Sequence, residues 1–171
     1  VRNQVSYTPS RAPSGQPAID TSDWQTYRND EFGFEVKYPN NWILQNVTGM
    51  LYDQREILSV GFGQKQNNLP IGIRIVSTND LRAIPMLDPS IFETQREENI
   101  IIGGMSGKKY TMINSSTKHV CLAGVIYQHA KIYSITSCPI VSEFDQILST
   151  FRFVDKEGNS QVDSSVVWWN D

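Results

Sequence analysis

The sequence of 171 residues predicts an α+β domain in which helices cover an antiparallel β-sheet. Short β-rich runs follow one another through most of the chain in meander order, separated by turn residues. Two stretches, 88–98 and 142–148, carry helix-start signals and helical spacing of apolar residues instead. The sequence shows no internal repeat, and its length suits one domain of about 130 residues with tails.

Composition divides the chain into three parts. Residues 1–22 are rich in Ser, Pro, Gln and Thr, which is typical of a flexible linker that cannot bury a core. We expect the folded domain over residues 23–155 and a C-terminal tail over 156–171. A polar tether of this kind joins a surface protein to its anchor, but a disordered cytosolic tail has the same composition.

Residues 33–42 form the most informative segment. Phe34, Val36 and Tyr38 alternate with charged residues, which predicts a half-buried strand. Pro39 ends the strand because proline has no N–H to donate, and Trp42 brings the chain back into the core. We interpret these side chains as core and turn residues, without a catalytic role.

The remaining elements follow in order. Strands are predicted at 24–27, from Trp42 back through 50–52, and at 57–62, 71–76, 100–102, 107–113, 121–138 (a hairpin) and 151–153. Asp88 followed by Pro89 predicts the start of a helix, with Ile91, Phe92 and Gln95 on its inner side. Residues 142–145 resemble a capping box, which predicts a second helix.

The hairpin places the two cysteines opposite each other. If His129 and Ala130 form a two-residue loop, Gln128 pairs with Lys131 and the same register pairs Cys121 with Cys138. The Cα separation of about 4.5–5.5 Å in such a pair suits a disulfide. That bond would indicate an oxidising, extracytoplasmic compartment. The alternatives are two free buried thiols in a cytosolic protein, or a loop of odd length that shifts the register.

Charge and hydropathy exclude two classes of protein. Fifteen Lys and Arg against eighteen Asp and Glu give a formal charge of −3, without the basic footprint that nucleic-acid binding requires. No apolar run approaches the length of a membrane span, so any membrane attachment would use an anchor absent from this chain. We expect that the chain begins after any export signal or never had one.

The sequence predicts no catalytic, cofactor or metal site. His119 and His129 lie at opposite ends of one predicted strand, about 33 Å apart, and cannot share a metal. Neither a nucleophile elbow nor a phosphate-binding loop is present, and the segment 103–107 reads as a turn between strands. Four acidic residues lie close together in the sequence, namely Asp20, Asp23, Asp30 and Glu31. Their spacing is not that of a Ca²⁺ loop, so we interpret them as solvent-exposed surface residues.

Residues 166–169 are an apolar cluster after a polar spacer, and they include Trp168 and Trp169. Such a cluster packs on its own domain, anchors a binding partner, or belongs to an added tag. Trp168 and Trp169 are therefore the residues predicted to bind a partner, if the cluster does not pack on the domain.

Two segments resemble a known family. Gly33-Phe34, Tyr38-Pro39 and Trp42 are similar to the opening motif of PsbP-like domains, named after an extrinsic subunit of photosystem II. Residues 144–153 resemble the closing helix and strand of bacterial members, many of which are exported proteins or lipoproteins. The resemblance implies an α/β/α sandwich around an antiparallel sheet and a binding or scaffolding role without catalysis.

Together these features predict a non-enzymatic extracytoplasmic domain, tethered to the cell envelope and binding an unidentified protein or envelope component. The alternative is a structural subunit of an extracellular assembly, a homo-oligomer among the options, held through its tails by strand addition.

Overall fold

The computed structural model describes residues 20–48, 55–66, 68–77, 84, 87–155 and 157–160. Over these residues the chain forms ten strands and one helix. They are β1 (Gln25–Asn29), β2 (Phe34–Tyr38), β3 (Ile43–Asn46), β4 (Glu56–Gly63), β5 (Ile71–Val76), β6 (Phe92–Ile102), β7 (Met105–Asn114), β8 (Val120–Gln128), β9 (Lys131–Ser137), α1 (Phe144–Thr150) and β10 (Arg152–Phe153).

The smaller sheet has the order β1-β2-β10, and both pairs are antiparallel. In β2 the side chains of Phe34, Val36 and Tyr38 are buried and the two between them are half-buried, which confirms the predicted alternation. Gly33 enters this strand with a φ of +61°, and a Cβ there would lie 3.0 Å from the Val154 carbonyl oxygen. Glycine therefore allows the close approach of the chain after β10 to the start of β2.

The larger sheet has seven antiparallel strands in the order β3-β4-β5-β9-β8-β7-β6. Its longest pair, β6 and β7, is joined at Gly103 and Gly104, whose φ angles are +59° and +83°. Two positive φ angles in a two-residue loop match the twist of a hairpin. The turn predicted over 103–107 is confirmed at Gly103 and Gly104, whereas residues 105–107 already belong to β7.

The main core lies between the two sheets. Phe34 of the small sheet is fully buried among side chains that include Phe62 and Ile73 of the large sheet. Helix α1 covers the same face further along, because a Cβ on Gly124 of β8 would lie 2.7 Å from Leu148 Cδ1. Trp42 belongs to this core and is 5% exposed, as expected from the sequence.

A second apolar cluster occupies the opposite, outer face of the large sheet. Met112, Val125 and Ile132 are buried there, and Ile84 and Phe92 pack with them. Both faces of β8 are therefore apolar. This explains why β8, with the sequence Val-Cys-Leu-Ala-Gly-Val-Ile-Tyr-Gln, reads as a nearly continuous apolar run.

The helix predicted at 88–98 is wrong, because residues 92–102 form β6. The Asp88 carboxylate accepts hydrogen bonds from Ser90 and makes a single turn instead of capping a helix. Beyond that turn the chain pairs with β7 along its whole length, with one bulge between Thr94 and Arg96. Pairing with β7 thus overrides the local helix signals. The residues near Asp88 do not reveal this pairing.

The predicted helical layers of an α/β/α sandwich are also wrong for the described residues. The second predicted helix is present as α1, but Ser142 does not cap it, since its hydroxyl bonds the Glu143 carboxylate at 3.0 Å. The described chain is two antiparallel sheets packed face to face, with one seven-residue helix at the side. That helix is too short to cross a membrane.

Candidate functional site

The β8–β9 hairpin has the register that the sequence predicts. Gln128 pairs with Lys131, and the ladder continues to Leu122 and Ser137. His129 and Ala130 form the loop with φ angles of +49° and +57°, so the loop adopts a hairpin turn without the usual Asn-Gly.

One step beyond that ladder, Cys121 and Cys138 are joined by a disulfide with a Cα–Cα distance of 4.5 Å. Cys121 is fully buried on the outer face of the sheet. The bond therefore ties β8 to the chain leaving β9, at the end of the hairpin farthest from its loop.

A cleft of about 470 Å³ opens at the other end of this hairpin, and we call it the acidic cleft. Three segments supply its walls: the β1–β2 turn, the β8–β9 loop and the chain after β10. Its polar lining includes Asp30, Glu31, His129, Lys131, Asp155 and Glu157. Tyr133 lies at its inner side, where its hydroxyl donates to the Phe32 carbonyl oxygen at 3.3 Å.

Several charged groups of the acidic cleft have partners inside the protein. Arg28 binds the Asp30 carboxylate at 2.6 Å and the Asp155 carbonyl oxygen at 3.0 Å. Both oxygens of the Asp155 carboxylate accept hydrogen bonds from Asn159, at 2.7 and 3.0 Å, and the side-chain bond is the main reason that the pKa of Asp155 lies below its usual value. Burial raises the pKa of the Tyr133 hydroxyl above its usual value. The four carboxylates of the lining can attract cations, and two of them, Asp30 and Asp155, also fix the surrounding loops through their partners.

The histidines and the acidic group that the sequence analysis considered do not come together in the structure. His119 and His129 flank β8 and are ten residue steps apart along it, a separation of about 33 Å. Of the acidic group, Asp30 and Glu31 line the cleft, whereas Asp23 lies before β1 and bonds Asn40 at 3.2 Å. Among the described residues no three His, Cys, Asp or Glu side chains are placed to hold a metal ion.

A second cavity of about 350 Å³ lies on the outer face of the large sheet. Its lining is mostly apolar, and Arg74 lies in its wall with its guanidinium 2.6 Å from the Glu56 carboxylate. The Arg74 and Glu56 side chains are 7% and 1% exposed, so this is a buried ion pair. We assign this pair a structural role, because each buried charge is neutralised by the other where water cannot solvate it.

The acidic cleft was missed from the sequence. Asp155 and Glu157 are more than a hundred positions from Asp30, and the pairing of β10 with β2 brings them together. The only signal was the acidic turn at Asp30 and Glu31. Trp168 and Trp169, predicted to bind the domain or a partner, lie outside the described residues. Residues 1–19 of the linker predicted over 1–22 also lie outside them.

No family model matches the sequence, and no curated protein matches it. Among solved structures, the chain is similar to the solution structure of cyanobacterial PsbP (CyanoP) from Synechocystis sp. PCC 6803. The two share 17% sequence identity with a TM-score of 0.53, over 83% of this chain and 99% of that chain. At this identity the likeness concerns the fold alone, and it confirms the PsbP-like domain inferred from the two sequence motifs.

Proposed function

We propose that this chain is a non-enzymatic accessory domain that acts outside the cytoplasm by binding a protein or another component of the cell envelope. The observation that carries the proposal is the PsbP-like fold over 83% of the chain, which suggests an accessory domain. The proposal concerns a binding role and includes no photosynthetic function.

The disulfide supports the extracytoplasmic part of the proposal. A disulfide between the fully buried Cys121 and the half-buried Cys138, which follows β9, suits a compartment that keeps thiols oxidised. The Pro- and Ser-rich composition of residues 1–22 is that of a tether between such a domain and an anchor.

The acidic cleft supports binding in preference to catalysis. A catalytic centre needs a nucleophile or base that is free to reach a substrate and a third group that orients it. Two of the four carboxylates that line the cleft, Asp30 and Asp155, are held by Arg28 and Asn159 instead.

A structural subunit of an extracellular assembly is the second candidate. Within the described residues β6 is an edge strand of eleven residues, and such an edge can accept a strand from a neighbour. However, Arg96, Glu97 and Glu98 follow one another in its middle, and charges on an edge strand oppose pairing with another strand. The binding domain is therefore the better supported of the two.

Fractionation of the cells that make the protein tests the proposal. We expect the full chain in the extracellular, periplasmic or envelope fractions, with a cytosolic enzyme as the control for leakage. Recovery of the chain with that cytosolic enzyme would contradict the proposal. Native mass spectrometry at low micromolar concentration separates the candidates, since a monomer favours the binding domain and a defined oligomer favours the assembly subunit.

A further inference from the structure

The acidic cleft carries an excess of negative charge. Its four carboxylates are balanced in part by Lys131 of the lining and by the neighbouring Arg28, which leaves two negative charges in excess. Within the described residues, the side chains of Glu31 and Glu157 form no ion pair and no hydrogen bond, and both residues are exposed. These two carboxylates are therefore open to a cation that approaches from solvent.

The inner side of the acidic cleft is aromatic. Phe32, Tyr133 and Phe153 line it, and the rings of Tyr133 and Phe153 pack edge to face with centroids 5.1 Å apart. Aromatic rings attract cations through the negative charge of their faces, and they also pack against the methylene groups of long side chains. A group that passes the exposed carboxylates thus meets a wall that suits a cation with an apolar stem.

The Tyr133 hydroxyl adds a hydrogen-bond acceptor to this wall. Tyr133 is 5% exposed, and its hydroxyl donates to the Phe32 carbonyl oxygen at 3.3 Å. The same oxygen accepts no hydrogen bond from the residues that the structure describes, although a phenolic oxygen can accept as well as donate. It can therefore take an N–H from a ligand in the acidic cleft.

These features favour an organic cation over a metal ion. In the described ranges, no three acidic, histidine or cysteine side chains are placed to hold a metal ion. A guanidinium group has a delocalised charge, five N–H donors and weak hydration, and it lies flat against aromatic rings. An ammonium group is a more strongly hydrated point charge, so it loses more by entering. The cleft volume of about 470 Å³ is large enough for one such side chain.

We propose that the acidic cleft binds an arginine side chain of a partner protein. The proposal rests on the binding role proposed above and names the chemistry of the partner. Glu31 and Glu157 attract the guanidinium, Tyr133 accepts one of its N–H groups, and the aromatic wall packs against its stem. Arg28 already holds the Asp30 carboxylate and the Asp155 carbonyl oxygen, so two walls of the cleft are fixed before the partner arrives.

A peptide titration of the isotope-labelled full chain, followed by amide NMR shifts, tests the proposal. The probe is acetyl-Gly-Arg-Gly-amide, and its control contains citrulline, a neutral residue of the same shape as arginine. At low salt we expect saturable shifts with the arginine peptide, concentrated in residues 30–33, 128–133 and 153–158, and little change with the citrulline peptide. Added salt should weaken the binding, because exposed charges are screened.

Two double variants with the same change of charge provide the matched comparison. Glu31→Gln/Glu157→Gln should weaken binding of the arginine peptide several-fold. Glu93→Gln/Glu143→Gln removes two charges near the disulfide end of β8 and should leave the affinity almost unchanged. Tyr133→Phe keeps the ring, removes the acceptor and should also weaken binding. Thermal melts establish that each variant is folded.

The proposal would be overturned by equal affinity for the arginine and citrulline peptides, by equal weakening in the two double variants, or by the absence of saturable shifts in the cleft. None of these results would change where the chain is found in cell fractions, so the proposed accessory role and this site are tested separately.

Discussion

Phe34 joins the two sheets, and its truncation should be among the most damaging single changes in the domain. Its side chain is fully buried. Its ring stacks on Phe151 with centroids 5.3 Å apart, and it meets the edges of Tyr27 and Tyr133 at 5.8 and 6.2 Å. Phe34→Ala removes the aromatic group that all three neighbours contact.

The expected cost follows from burial and from the cavity that remains. Truncation of a fully buried phenylalanine to alanine typically lowers the free energy of unfolding by about 3–5 kcal/mol. The upper half of that range applies here, since the neighbours belong to two different sheets and cannot easily close the gap. With a urea dependence of about 2 kcal/mol per molar, the unfolding midpoint should fall by about 2 M.

Urea unfolding followed by far-ultraviolet circular dichroism measures this shift. Ile140→Ala is the control, because Ile140 is 43% exposed and its truncation should change the free energy of unfolding by only about 0.5 kcal/mol. If Phe34→Ala shifts the midpoint no more than Ile140→Ala does, at unchanged slope, then Phe34 does not hold the two sheets together.

Three further predictions concern other parts of the fold. Cys138→Ser should lower the free energy of unfolding by about 3 kcal/mol, the entropic value for the loop of this length that Cys121 and Cys138 close, and an unchanged melting curve would contradict it. Arg74→Leu should cost about 3–5 kcal/mol, because it leaves the buried Glu56 charge without its guanidinium, and a combined Arg74→Leu/Glu56→Leu variant should recover most of the loss in thermal melts. Burial raises the pKa of Tyr110 to about 12, so the unfolded chain ionises first and stability should fall as pH rises from about 10 toward 12. Tyr110→Phe should flatten that fall relative to the parent, and identical slopes would refute it.

The hairpin from Cys121 to Cys138 shows what the sequence could predict. Its register depends on local quantities, namely the alternation of side chains and the length of one loop, so counting along the chain pairs the cysteines correctly. The loop sequence His129-Ala130 lacks the usual glycine, and both residues take positive φ angles because the flanking ladder holds them there.

The segment after Asp88 shows where such reasoning fails. Asp followed by Pro starts helices and single turns alike, and the helical spacing of Ile91, Phe92 and Gln95 favours a helix. What decides the structure is the ladder of β6 with β7, which continues to Ile102 and is closed by the glycine turn. Non-local pairing of this kind cannot be read from a window of ten residues.

The acidic cleft could not be predicted for a related reason. Its walls come from the β1–β2 turn, the hairpin loop and the chain after β10, and each segment alone reads as an ordinary polar turn. Only the packing of β10 against β2, which places Phe153 opposite Phe34, brings Asp155 near Asp30. A prediction of the cleft would have required the order of strands in both sheets.

The redox state of Cys121 and Cys138 in living cells is the most direct test of an accessory domain outside the cytoplasm. Cells that make the protein are quenched in acid, free thiols are alkylated without reductant, and the intact mass of the full chain is measured. We expect almost all chains to carry no alkyl group, and two groups only after reduction. Chains that carry two alkyl groups without reduction would contradict both the disulfide and the extracytoplasmic location.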